Sequence, residues 1–183
     1  MISNDFGLVD RLEIKVFRPM PDGTRKLIAT RDTAPLGIPF RFPTAKVVYV
    51  KFLKFFGYGQ EYAGDLIVNA GLVDIAQMVS DRYDYVGIGV GTAEALPANT
   101  ALASQVETRV APTKSIVTTT ITDDTAQFSG EFTLTAPRAI TESGVFVLDT
   151  AGVMLARQVF AVLNLDTNDI ITFVWQIQVA RST

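Results

Sequence analysis

The chain has 183 residues, 48% hydrophobic and 19% charged, which is enough apolar material for one generous domain and too little charge for disorder. It contains no histidine and no cysteine, which excludes Ser-His-Asp and Cys-His catalytic groups, disulfides, and imidazole or thiolate metal sites. A net charge of −3 argues against a nucleic-acid partner, which needs clustered Lys and Arg. Residues 1–11 carry neither a basic nor an apolar signal region, and no apolar run reaches the roughly 18–20 residues of a membrane span. The expectation is a protein made in the cytoplasm without a signal peptide, with no membrane partner and no cofactor.

In chain order, Leu12, Ile14 and Val16 alternate with Glu13, Lys15 and Phe17 as in a half-buried strand, and Pro19, Pro21 and Gly23 mark a turn before a returning strand over residues 25–30. Pro35, Gly37, Pro39 and Pro43 make residues 32–43 an extended connector. Residues 46–56 are strongly β-prone and apolar on both faces apart from Lys51 and Lys54. Leu72, Ile75, Ala76 and Val79 share one face of a helix over residues 71–81, with Asn69 as its cap. A second short helix is expected over residues 100–107. Strands follow at 85–90, 114–122, 126–134, 140–148, 153–163 and 171–179, the fourth and fifth as a hairpin around the turn at 149–152. Residues 126–134 place Ala126, Phe128, Gly130, Phe132 and Leu134 on one side, and residues 171–179 turn Ile171, Phe173, Trp175, Ile177 and Val179 inward. Short strands with turn signals at intervals of about ten residues predict a mainly β fold. The expected form is an antiparallel β-sandwich over residues 66–183 with one short helix, and residues 1–65 as an N-terminal arm and hairpin extension.

Several groups invite a chemical reading. Gly87-Ile88-Gly89-Val90-Gly91-Thr92 has G-x-G-x-G spacing, lacks the Lys of a P-loop, and is followed by Pro97 instead of a helix, so it reads as a strand where neighbours approach closely. The carboxylates Asp81 and Asp84, Asp123 and Asp124, and Asp166 and Asp169 all fall between predicted elements, where Asp and Asn stabilise turns; the last pair could also serve calcium. Glu142 differs, because it lies within a strand. Either it is a polar pin, paired with Arg157 of the returning strand or with Arg109 and fixing the hairpin register or a subunit contact, or it takes an edge or outward position in water. The aromatics Tyr49, Phe52, Phe55, Phe56 and Tyr58 are core, or an interface in which a partner subunit covers one side of residues 46–56. No catalytic, cofactor-binding or metal-binding residue is assigned.

From residue 66 to 179 the order of motifs resembles a family of small tailed-bacteriophage virion structural proteins. The lead-in is Asn69-Ala70-Gly71-Leu72; a GIGxG strand follows at Val86-Gly87-Ile88-Gly89-Val90-Gly91-Thr92, a TxL step at Thr100-Ala101-Leu102, and an ExR element at Glu107-Thr108-Arg109. Ile140-Thr141-Glu142-Ser143-Gly144-Val145-Phe146 is similar to the ITExGLF strand of tail-collar fibre domains, and Met154-Leu155-Ala156-Arg157-Gln158-Val159-Phe160 completes the pattern; Ser143 and Val145 depart slightly from it. Residues 1–65 lie outside the resemblance.

The resemblance implies a β-sandwich in the virion without catalysis. The leading expectation is a capsid decoration (cement) protein whose Pro-interrupted arm, residues 1–43, clasps neighbouring capsid subunits. It would form a symmetric homo-oligomer, trimers being a usual closed form. The second is a tail, baseplate, neck or fibre-attachment component, and the third a glycan-binding receptor module, which an exposed Trp175 would favour.

Overall fold

The computed structural model describes residues 6–38 and 67–181. Among them the chain is mainly β, with two antiparallel sheets and a single short helix. The strands are β1 (Phe6–Pro19), β2 (Arg25–Ile38), β3 (Tyr85–Gly89), β4 (Thr113–Val117), β5 (Thr125–Thr133), β6 (Arg138–Phe146), β7 (Met154–Leu165) and β8 (Ile170–Arg181). The helix α1 (Asn69–Arg82) precedes β3. The larger sheet has the order β2-β1-β8-β5-β4 and the smaller β3-β6-β7.

The register explains the core. Leu12, Ile14 and Val16 of β1 lie opposite Trp175, Phe173 and Ile171 of β8, and Ala126, Phe128 and Phe132 of β5 lie opposite Ile177, Trp175 and Ile171. Side chains directly opposite share a face, so this period-2 pattern lines one side of the larger sheet with apolar residues. All ten of these side chains are buried, as the alternation predicts. Phe132 meets Phe173 edge-on, with ring centroids 6.0 Å apart. Val86, Ile88 and Val145 close the core from the smaller sheet. Trp175 links the two sheets, donating from Nε1 to Ser143 Oγ at 3.1 Å while that hydroxyl donates to the Gly87 carbonyl at 3.0 Å. A tryptophan so enclosed offers no stacking platform to a sugar.

Three strands cannot cover five, and α1 covers part of the remainder. Its Leu72 and Ala76 pack with Val179, which has the same parity as Trp175 along β8. The apolar stripe is the predicted one, but the cap is not. Helix α1 begins at Asn69, Val68 is the N-cap, and no side chain caps it.

Two expectations for the N-terminal part need correction. The hairpin β1–β2 is not an appended arm, because β1 pairs with β8 from Phe6↔Arg181 to Phe17↔Ile170 and feeds the core. Nor does regular structure stop at residue 32: β2 runs on to Ile38 through Pro35. Among the described strands β2 is a sheet edge, where a missing N–H breaks no second ladder, and the register there sets Ala34 and Pro35 opposite Arg11 alone, as a bulge. Tyr49, Phe52, Phe55, Phe56 and Tyr58 lie outside the described residues.

The acidic pairs behave as turn and ion-pair residues. Asp123 and Asn168 adopt left-handed backbone, with φ of 60° and 68°, as Asp and Asn tolerate in turns. Asp169 is engaged by Arg18, whose Nε donates to Oδ1 at 2.8 Å while Nη2 reaches Asp166 at 2.7 Å. A guanidinium thus sits at the carboxylates considered for calcium. Asp84 holds the Lys114 ammonium at 2.5 Å, and Asp81 accepts from Gln77.

Asp124 is fully buried and accepts from the N–H groups of Thr119, Thr120 and Ile121 and from Thr125 and Gln178. Burial acts to raise its pKa, but the donors from Ile121, Gln178, Thr119 and Thr125 outweigh it and hold the group at about 2. A depressed folded pKa contributes stability that is complete above the unfolded value near 4 and is lost as pH falls toward 2, roughly 2 kcal/mol for this group. Asp124→Asn is therefore expected to unfold in less urea than the parent at pH 7. The gap should narrow in melts repeated down to pH 3; a gap that stays constant would refute this account.

Candidate functional site

The smaller sheet is covered on both sides. Val86 and Ile88 face the core, as do their partners Val145 and Ser143, so the register pairs Gly87↔Gly144 and Gly89↔Glu142 lie on the outer face. Residues 90–112 form a covering layer: they run along the free edge of β3, bridged to it at Val86↔Val110 and Gly89↔Gln105, and lay Leu102 and Arg109 over that face against Gly87 and Gly144. This is why every residue of β6 from Ile140 to Phe146 is buried, and why Glu142, on the side away from the core, is shielded from water.

Glu142 organises the layer. Its Oε1 accepts from the N–H groups of Gly91 at 3.0 Å and Ser104 at 2.7 Å; its Oε2 accepts from the Ala103 N–H at 3.0 Å and from Arg157 Nε at 2.8 Å. The Glu142 and Arg157 side chains are 0% and 3% exposed. Arg157 uses its other nitrogens on the same loop. Nη1 donates to the Glu94 carbonyl at 3.1 Å and to Asn99 Oδ1 at 2.9 Å, and Nη2 to the Ala93 carbonyl at 2.9 Å. Thr141 Oγ1 donates to the Gly91 carbonyl at 2.9 Å. One buried ion pair thereby fixes both ends of residues 91–104.

Each partner is positioned by its strand. Glu142 and Arg157 stand on adjacent antiparallel strands, diagonal across the register pairs Glu142↔Val159 and Gly144↔Arg157. Gly89 and Gly91 make the room: a Cβ on Gly89 would lie 2.5 Å from Glu142 Oε1, and one on Gly91 would overlap both that oxygen and the Ala103 Cβ. The close approach expected of the GIGVG run is therefore an approach to a carboxylate. Burial acts to raise the Glu142 pKa, but the bonds from Ser104, Ala103, Arg157 and Gly91 together exceed it, and the net shift is downward.

Of the two readings of Glu142, the geometry is that of the buried pin, with Arg157 as its partner. Arg109 is not part of that pair. It anchors the far end of the same layer, donating from Nη1 to the Leu148 and Ala151 carbonyls at 2.8 and 2.9 Å and from Nε to Gln105 at 3.0 Å, with its guanidinium carbon 3.5 Å from the centroid of the Phe146 ring. Glu107 adds a third anchor by accepting from Thr135 Oγ1 at 2.9 Å. The expected helix over residues 100–107 does not form, because the Ala103 and Ser104 amides turn onto Glu142 and the Ser104 carbonyl accepts from Val90. Those two donors went unrecognised in the sequence, since backbone N–H groups leave no residue signature.

Chemically this arrangement is saturated. Every oxygen of Glu142 and every nitrogen of the Arg157 guanidinium has a partner, so neither group is available to a substrate. Among the described residues no cluster of acidic side chains is placed to hold a metal ion, and no helix is long and apolar enough to cross a membrane. No family model, curated protein or solved structure matches the chain.

Proposed function

We propose that the chain is a non-enzymatic structural protein of a tailed-phage particle, a capsid decoration (cement) protein or comparable accessory that binds neighbouring capsid subunits. One observation carries the reading. The residues through which the sequence resembles phage structural proteins are engaged with one another in the fold: Gly89 and Gly91 against Glu142, Glu142 with Arg157, and Glu107 and Arg109 as further anchors of the same layer. A motif set consumed in holding a scaffold together suits a protein selected for shape and assembly. Its partners would be the major capsid protein and further copies of itself.

The segment similar to collar-fibre strands, residues 140–146, is the strand that bears Glu142, and it supports a tail, baseplate, neck or fibre-attachment role as the second reading. Counting copies against the major capsid protein by quantitative mass spectrometry of purified particles separates the two. Copies on the order of hundreds per particle are expected for a decoration protein, and a few dozen or fewer would move it to the neck or tail. Absence from particles would overturn both.

A further inference from the structure

Asp22-Gly23 is the only Asp-Gly pair in the chain, and there is no Asn-Gly. With no Cβ on the second residue, its amide nitrogen can approach the aspartyl side chain, so Asp-Gly is the aspartyl pair most prone to isomerise. In that reaction the Gly23 nitrogen bonds to Asp22 Cγ and a carboxyl oxygen leaves as water. Water then opens the cyclic imide at either carbonyl, restoring aspartate or routing the backbone through Cγ as isoaspartate. Residues 19–24 are all exposed, so no packing over the pair prevents this.

The turn itself prevents it. Gly23 N–H donates to the Met20 carbonyl at 3.0 Å, closing a turn centred on Pro21 and Asp22, and Met20 N–H donates to the Thr24 carbonyl at 2.8 Å. The ring of Pro21 fixes a negative φ and Asp22 does not have a positive one, which leaves a type I turn followed by Gly23 at a φ of 81°. This is the three-residue hairpin loop with a glycine bulge. The second central residue of a type I turn has ψ of about 0°. The Gly23 nitrogen then eclipses that of Asp22 and is turned away from Asp22 Cβ, so the five-membered ring cannot close. Thr24 adds a second restraint, its Oγ1 and its N–H both donating to Asp22 Oδ1, at 2.6 and 2.9 Å. These two bonds hold the side chain in place and its carboxyl below the ordinary range, whereas the neutral acid is the form that loses water.

We infer that Asp22 is a latent isoaspartyl site, which the folded turn keeps closed through Thr24 and which reacts once the β1–β2 hairpin opens. The product does not fit the native turn. Its backbone carries one more methylene inside the register pair Pro19↔Arg25, and the carboxyl carbon whose oxygen Thr24 held becomes part of the main chain. A chain that has opened and reacted is thereby barred from the native hairpin.

The test incubates the full-length chain for weeks at neutral pH and one temperature, folded in buffer and unfolded in guanidinium chloride. Isoaspartate is then quantified in the tryptic peptide Val16–Arg25 by chromatography and mass spectrometry. Conversion should be slower in the folded chain by about tenfold or more, since the hairpin must open first. Thr24→Ala removes one of the two donors from an exposed residue, so its melting temperature should stay close to the parent's. Folded Thr24→Ala should convert faster than folded parent, while the two unfolded chains convert alike. Equal rates in folded and unfolded parent would overturn the closed turn, and a folded Thr24→Ala no faster than the parent would overturn the part given to Thr24. Absence of isoaspartate from the unfolded parent would overturn the site itself.

Discussion

Deletion of residues 1–38 is expected to abolish folding. Strand β1 is an interior strand, flanked by β2 and β8, and its Leu12, Ile14 and Val16 are at most 1% exposed. At about 1.5–3 kcal/mol for each buried side chain, these three contribute about 5–9 kcal/mol, comparable with the whole stability of a typical domain. Removing them also leaves β8 as a sheet edge with Trp175, Phe173 and Ile171 uncovered, a template for aggregation. Near-UV circular dichroism and a urea melt should show no cooperative transition in the truncated chain. Leu12→Ala gives a graded version, with an expected loss of about 2–5 kcal/mol. A truncated chain that unfolds cooperatively would show that β1 is dispensable. The same geometry rules out the simplest test of a clasping arm, because deleting residues 1–43 would remove part of the core with it.

How much of this could be read beforehand depended on whether burial left a periodic trace. Strands β5 and β8 bury one face and expose the other, so Phe128, Phe132, Phe173 and Trp175 fell at every second position and the strands were legible with their inward faces. Helix α1 was legible for the same reason at period 3.6, although Asn69 proved to be its first residue and not its cap. The pairing of β1 with β8 left no local trace, since it joins residues some 160 positions apart and any of several registers would suit the alternation. Strand β6 hid the site by being buried on both faces, which erases the alternation that would have shown where Glu142 points. The nominal helix at residues 100–107 failed for a related reason: Leu102 serves the outer face of the smaller sheet, near Gly87 and Gly144, and the neighbouring amides serve a carboxylate 38 residues away. Local propensity carries no information about such a partner. What was legible was the pair of residue types, an acid and a base on successive strands of one hairpin.

That pair leads to the sharpest expectation about single residues. Glu142→Ala should destabilise the protein by about 3–5 kcal/mol, because it leaves Arg157 as an uncompensated buried cation and three amides without an acceptor. Glu142→Gln preserves the shape yet places an NH2 group among donors, so it should cost about 2–3 kcal/mol. The ion pair itself is worth less than either loss suggests, since both charges were desolvated to form it. Replacing Glu142 and Arg157 together by Met should therefore cost clearly less than the sum of the two single replacements, and urea melts of the full cycle measure the difference. The pH dependence has a definite sign. With its folded pKa depressed, Glu142 contributes its stability above the ordinary carboxylate range and loses it as pH falls through the folded value, so the gap between parent and Glu142→Gln should close on acidification. Amide exchange locates the effect: in Glu142→Gln the amides of β5 and β8 should lose only the protection that the lower global stability removes, while Gly91, Ala103 and Ser104 should lose more. An equal loss across all strands would mean that Glu142 supports the sandwich as a whole; an additional loss at residues 90–106 would show that the ion pair serves to hold the covering layer in place.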